Sequence, residues 1–331
     1  MFGRNEISRS FRIESKIGSG GSGAVYKAWH KRMQKYIVVK EQIYRSKNDA
    51  ETRRNELEAL KNIKSVYIPQ VFDYITTGTR SYTVMEYIEG ESFDKRLGRG
   101  KKSTQTQVIK WYGQLASALV SLHSRDVCHR DIKPANIMLT AGGDACLIDF
   151  NSAFIKGNKT QFTSRSLGYA SPEQYELYER LKTSRDEPVR LKSHRRGFFP
   201  FYYAETQMIE GGGRTTQIEN GSLSAGTSTV KTGVRTPLLN VLPAMNDIDW
   251  KLSDIYSLGA TMYHILTGRR PPKKPAEAPA EIVGILDSGD YCGGLVDLIR
   301  KSVQIQPSDR FASAVILANA IQDVGLANCC Y

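Results

Sequence analysis

The sequence predicts an α+β protein whose strands and helices are segregated along the chain. Three observations predict it. Residues 11–90 hold short alternating or β-branched apolar runs. From about residue 92 the apolar spacing changes to a helical repeat. A single helical stretch, Glu51 to Ile63, interrupts the strands. Strands first and helices afterwards imply two segregated lobes.

Phe11–Ile17 alternates apolar and polar residues and runs into a glycine cluster, as a strand entering a tight loop would. Tyr36–Lys40 is short and β-branched. The stretch from Glu51 places Leu57, Leu60 and Ile63 on one helical face, and Ser81–Ile88 is again strand-like. Gln105–His123 repeats Ile109, Tyr112, Leu115, Ala116, Leu119 and Leu122 on one face, and residues 253–267 and 311–323 are also helical in pattern. Residues 176–247 break the rhythm. They lack strong periodicity, contain Gly211-Gly212-Gly213 and many Ser and Thr, and carry the aromatic block Phe198–Tyr203. A structureless stretch of that length is either functional or disordered.

At 331 residues and 40% hydrophobic content the chain can bury a sizeable core, which excludes a membrane-embedded or wholly disordered protein. No run of 18 apolar residues exists, and Met1–Glu6 has no apolar signal region. The five cysteines are odd in number and form no CxxC pair, so reduced thiols in a cytoplasm are expected. Cys329 and Cys330 stand either as free thiols or as acylation sites. The formal charge of +12 raises nucleic acid, an anionic membrane or a phosphorylated ligand as partners.

Gly18-Ser19-Gly20-Gly21-Ser22-Gly23-Ala24-Val25 fits G-x-G-x-x-G-x-V. Glycines admit a phosphate close to the backbone, though a plain Gly/Ser turn has the same composition. A strand follows rather than a helix, and no Gly-Lys-Ser/Thr ends the loop, which excludes the Rossmann and Walker arrangements. Downstream stand His129-Arg130-Asp131-Ile132-Lys133-Pro134-Ala135-Asn136, Asp149-Phe150, Ala170-Ser171-Pro172-Glu173, Ser253-Asp254-Ile255-Tyr256-Ser257-Leu258-Gly259 and Pro307-Ser308-Asp309-Arg310. In this order the chain resembles the eukaryotic-type serine/threonine protein kinases, and Gly168–Tyr175 resembles their bacterial branch. The resemblance covers roughly residues 11–175 and 248–325.

The resemblance implies a bilobal fold: an ATP-binding lobe over 1–86 and a helical catalytic lobe over 87–331, interrupted by an insertion at about 176–247. It implies an ATP-dependent kinase acting on protein Ser/Thr hydroxyls, with autophosphorylation; the alternative is a pseudokinase or kinase-like binding scaffold. Lys40 would hold the α and β phosphates, paired with Glu56, which Leu60 one turn on favours over Glu51 and Glu58. Asp131 would orient the acceptor hydroxyl and take its proton, with Lys133 beside it. Asn136 and Asp149 would ligate Mg2+, or Mn2+ in its place. The glycine loop from Gly18 to Gly23, with Val25, Val38, Met85, Glu86 and Met138, would surround ATP, Met85 as gatekeeper and Met138 as floor. Ser166 would touch the catalytic Asp and Lys. Arg130 would either read a phosphate on Thr160, Thr163 or Ser164 or pair locally. Glu173, Asp254 and Arg310 would be structural.

Three departures stand out. Asn151 replaces the glycine of D-F-G, and this should make the flipped inactive state less accessible. Val38 replaces the usual alanine against adenine, which should tighten that pocket. In the insertion, a basic run from Arg180 to Arg196 precedes the aromatic block; it either docks a partner or is a tolerated surface insertion. Residues 1–86 hold 16 basic against 9 acidic side chains and residues 87–175 hold 12 against 8. The charge therefore sits chiefly where an anionic nucleotide would bind, which points away from nucleic acid.

Overall fold

A computed structural model describes residues 10–20, 23–155, 165–186 and 248–327. These residues belong to one compact unit. Its first part is an antiparallel sheet of β1 (Phe11–Gly20), β2 (Gly23–His30), β3 (Lys35–Ile43), β4 (Val71–Thr77) and β5 (Arg80–Glu86), in the order β1-β2-β3-β5-β4. Alternation on β3 sends Ile37 and Val39 into a core with Phe11, Ala28, Tyr82 and Val84. It turns Val38, Lys40 and Gln42 to the opposite face. Between β3 and β4 runs α1 (Lys47–Lys61), whose N-cap Ser46 accepts the Asp49 amide.

The rest is mainly helical: α2 (Phe93–Gly98), α3 (Gln105–His123), α4 (Pro172–Asp186), α5 (Trp250–Thr267), α6 (Ala278–Asp287), α7 (Gly293–Ser302) and α8 (Ala314–Leu326). Helix α3 starts on a reciprocal capping box between Thr104 and Gln107. Helix α5 starts at Asp249, stops at Gly268 (φ 71°), and is buried along nearly its whole length. Short strands frame the loops between α3 and α4. Here β6 (Gly90–Ser92), β8 (Ile137–Thr140) and β9 (Ala145–Leu147) pair in one sheet, and β7 (Val127–Cys128) pairs with β10 (Phe154–Ile155). This is the expected bilobal α+β arrangement.

β1 forms where the sequence predicts a strand, with Ile13 46% exposed and Ile17 47%. β1 is an edge strand whose pairing with β2 is twice broken, between Ile13 and Ser15 and between Lys16 and Gly18. Two other expectations need correction. The last helix begins at Ala314 rather than 311, because Ser313 caps it and Phe311 packs into the core ahead of it. Residues 176–186, expected without periodicity, continue α4. Their apolar side chains Leu177, Tyr178 and Leu181 pack on Cys128, Phe154 and Trp250.

Buried in α5, His264 Nδ1 hydrogen-bonds the Tyr169 hydroxyl (2.6 Å). Burial lowers its pKa from 6.5 to about 4. Between those values the unfolded chain binds a proton that the folded chain does not, so stability rises with pH across that window. The melting temperature should therefore fall as pH drops from 7 to 5, and a His264→Gln variant should fall less steeply over the same range.

Candidate functional site

The catalytic-loop residues are held from below by Asp254 of α5, which is fully buried. Its Oδ1 accepts the Arg130 amide (2.7 Å), and its Oδ2 accepts the His129 amide (2.8 Å) and His123 Nε2 (3.0 Å). This grip holds Arg130 at φ 62°, a left-handed conformation that a residue with a Cβ adopts only when its surroundings impose it. The chain then turns to bring Asp131, Lys133 and Asn136 together. Asn136 Nδ2 donates to the Asp131 carbonyl (2.8 Å) and to Asp131 Oδ2 (2.9 Å). Lys133 Nζ lies 3.0 Å from Asp131 Oδ2. Ser166, distant in sequence, closes the cluster: its hydroxyl donates to Asp131 Oδ1 (2.5 Å) and accepts from Lys133 Nζ (2.8 Å).

Asp149 faces β3. Lys40 Nζ donates to Asp149 Oδ1 at 2.6 Å, and the Asn151 amide donates to the same oxygen at 3.1 Å. Burial opposes the Asp149 carboxylate, but the charge and hydrogen bond of Lys40 outweigh it and hold the pKa below the usual value. Phe150 packs edge-on against His129, with centroids 5.1 Å apart. His129 in turn contacts the Ile148 carbonyl through Nε2 (3.0 Å).

Several expected positions can be placed. Val38 stands opposite Met85 in the β3–β5 register, on the face that carries Lys40. The Glu86 carboxylate accepts the Gln70 amide (3.1 Å), and Met138 lies in β8 opposite Cys146. Gly18 pairs with Val25 and Ser19 with Ala24. Gly23 is required by the sheet itself, since a Cβ there would lie 1.8 Å from the Glu41 carbonyl oxygen. Gly21, Ser22, Thr160, Thr163 and Ser164 lie outside the described residues, as does the side chain of Glu56. Its competitor Glu58 is engaged elsewhere, 3.0 Å from Lys61. Arg130 makes the local contacts, donating from Nε to the Ser152 carbonyl (2.6 Å) with its guanidinium over Phe154 and Trp250.

Glu173 and Arg310 form a bidentate pair at 2.7 and 2.9 Å. The remaining guanidinium N–H groups go to the carbonyls of Leu252, Gln304 and Ile305, so every donor of a fully buried arginine is used. Two contacts had no local signal in the sequence. Arg165 pairs with Glu179 and stacks over Tyr175 (3.7 Å) and Tyr178 (4.6 Å), tying the segment before Ser166 to α4. Gln42 reaches Asn151.

The protein kinase domain model matches residues 11–186, more than half of the chain, and the chain belongs to that family. Among curated proteins it is 32% identical over 175 residues to a probable serine/threonine-protein kinase of Clostridium acetobutylicum, which covers 51% of this chain and 27% of that protein. It is 34% identical over 156 residues to the serine/threonine-protein kinase pakH of Dictyostelium discoideum (45% and 30%). It is 30% identical over 171 residues to the Aurora kinase of Schizosaccharomyces pombe (50% and 48%). The matched region spans between about a quarter and a half of these relatives' lengths.

Removing one partner of a buried, fully bonded ion pair leaves an uncompensated charge, which costs about 3–5 kcal/mol. Arg310→Ala should therefore lose about that much unfolding free energy in urea titrations, far more than Arg300→Ala at its exposed pairs with Asp287 and Asp297.

Proposed function

We propose that this chain is an ATP-dependent serine/threonine protein kinase that transfers the γ-phosphate to protein hydroxyls, its own included. One observation carries the proposal: Ser166 sits between Asp131 and Lys133 with its hydroxyl bonded to both. A serine hydroxyl already fits between the carboxylate and the ammonium. An incoming Ser or Thr needs the same two groups nearby, one to accept its proton and one to balance the charge on the phosphoryl oxygens. Homologues named serine/threonine kinases support the same substrate class.

The donor set fits a hard cation. Asn136 spends its amide nitrogen on Asp131 and keeps its amide oxygen. Asp149 uses Oδ1 for Lys40 and Asn151 and has Oδ2 to offer. Asn136 and Asp149 would hold Mg2+, or Mn2+ in its place, which when bound neutralises charge on the nucleotide phosphates. Lys40 sits beside Asp149 with its ammonium directed to the same place. Asp131 orients the acceptor hydroxyl and removes its proton as the new bond to phosphorus forms, while Lys133 steadies both. Residues 1–86 act as the nucleotide-binding lobe and 87–331 as the catalytic lobe. Against a scaffold without transfer stand the mutual contacts of Asp131, Lys133 and Asn136 and the separate pairing of Asp149 with Lys40. No helix among the described residues is long and apolar enough to cross a membrane. A cytoplasmic location fits the buried free thiols of Cys128 and Cys146.

The test is transfer of labelled γ-phosphate from MgATP to a serine/threonine peptide library, with phosphosite mapping of the chain itself. Asp131→Ala should lower kcat by about a hundredfold or more. Wild type no faster than that variant overturns the proposal. Ser166→Ala should lower kcat/KM for peptide by about tenfold through loss of two hydrogen bonds to charged groups, and Ser166→Thr should restore it.

A further inference from the structure

Asn151 stands in a position where the family places glycine, and Gln42 is a buried amide on β3 at 9% exposure. The two meet: Gln42 Nε2 donates to Asn151 Oδ1 at 3.0 Å. The contact runs parallel to the Lys40–Asp149 pair, because Lys40 and Gln42 are two apart on one strand face, and Asp149 and Asn151 are two apart on the facing segment. Gln42 is held in turn, since its Oε1 accepts the Tyr44 hydroxyl (3.2 Å). Between the two rungs the chain is left-handed at Asp149 (φ 66°), which an aspartate keeps only where neighbours over-determine it.

We propose that Gln42 and Asn151 are positioning residues that lock the 149–151 segment onto β3, and so hold the Asp149 carboxylate where a metal-bound nucleotide is received. The assignment of Asp149 to metal rests on the function proposed above. A glycine at 151 would keep the backbone amide bond to Asp149 Oδ1 and lose the side-chain rung. It would also widen the conformations open to the segment. A leucine at 42 would lose the same rung from the other side and leave the Asn151 amide oxygen without that donor. Because both substitutions delete one bond, their effects should not add.

The experiment is a double-mutant cycle of Asn151→Gly, Gln42→Leu and the combination, in the full chain. It reads amide hydrogen exchange at 149–151, the affinity for MgADP by calorimetry, and KM against kcat for MgATP. Each single variant should speed exchange at 149–151 by about tenfold, the factor expected for one amide hydrogen bond, with exchange in α5 unchanged. MgADP affinity should fall by a similar factor, with KM for MgATP rising more than kcat falls. The double variant should match Asn151→Gly alone, which carries the freer backbone as well as the lost bond. Asn151→Gln, which keeps a side-chain amide, should recover part of the protection. Singles with unchanged exchange and affinity, or a double variant whose effects sum, overturn the proposal. The function proposed above fails separately: if Asp149→Asn binds MgADP as tightly as wild type, the metal assignment falls, while the exchange cycle still decides the lock.

Discussion

Everything that converges at the site hangs from one buried carboxylate. Asp254 is fully buried, where a carboxylate without hydrogen bonds is costly. Two consecutive backbone amides and one imidazole nitrogen stabilise the charge instead. Those same donors are the start of the catalytic loop. The carboxylate therefore fixes the start of the loop. Arg130, the second of these donors, adopts φ 62°, and its side chain and carbonyl are held in turn by Ser152 and Gln174. The grouping of His123, Cys128 and Asp254 has the spacing of a metal site. Its chemistry argues otherwise: N–H groups already occupy both Asp254 oxygens, and burial together with the Asp254 charge pushes the Cys128 thiol pKa up, away from the thiolate a metal needs.

A second set of contacts carries order from the catalytic loop into the segment ahead of α4. Gln174 donates to the Arg130 carbonyl (2.8 Å), Ser171 bonds Ser253 (2.8 Å), and Glu173 locks onto Arg310. α4 is thus tied at its first turn to the loop below it and to Arg310, just after Pro307–Asp309. Arg165 repeats the tie one turn on, through Glu179 and two tyrosines. Since Arg165 and Ser166 are neighbours in the chain, the start of the insertion and the hydroxyl that touches Asp131 share one mechanical element.

The legibility of the sequence divides along the distance over which each interaction acts. Asp131, Lys133 and Asn136 lie within six residues, so once the resemblance named them their convergence depended on one local turn. Helix α3 could be read to its ends because its apolar repeat and its Thr104 cap are both local. Ser166 was legible only through resemblance, since nothing near it in sequence shows that it will meet Asp131. Gln42 carried no signal: a glutamine on a half-buried strand reads as solvated, and only the approach of residues 149–151 makes it a donor. The exposure of Ile13 and Ile17 was not legible for the converse reason. Alternation reports which residues share a face, but whether that face is covered depends on where the strand falls in the sheet, and β1 falls at the edge.

The charge balance of the site explains why the excess of +12 does not by itself supply a phosphate cradle. Lys40 is matched by Asp149 and Lys133 by Asp131, each within hydrogen-bonding distance. The pairs are close to neutral, which is the condition for holding four ionised groups in partly buried positions at all. Exposed cations are paired as well, Arg54 with Glu58 and both Arg99 and Lys101 with Glu91, and attraction from exposed charges is screened by salt. Under the function proposed above, extra positive charge at the reacting phosphate would arrive with the nucleotide, as its own divalent ion, and Asn136 and Asp149 would receive it.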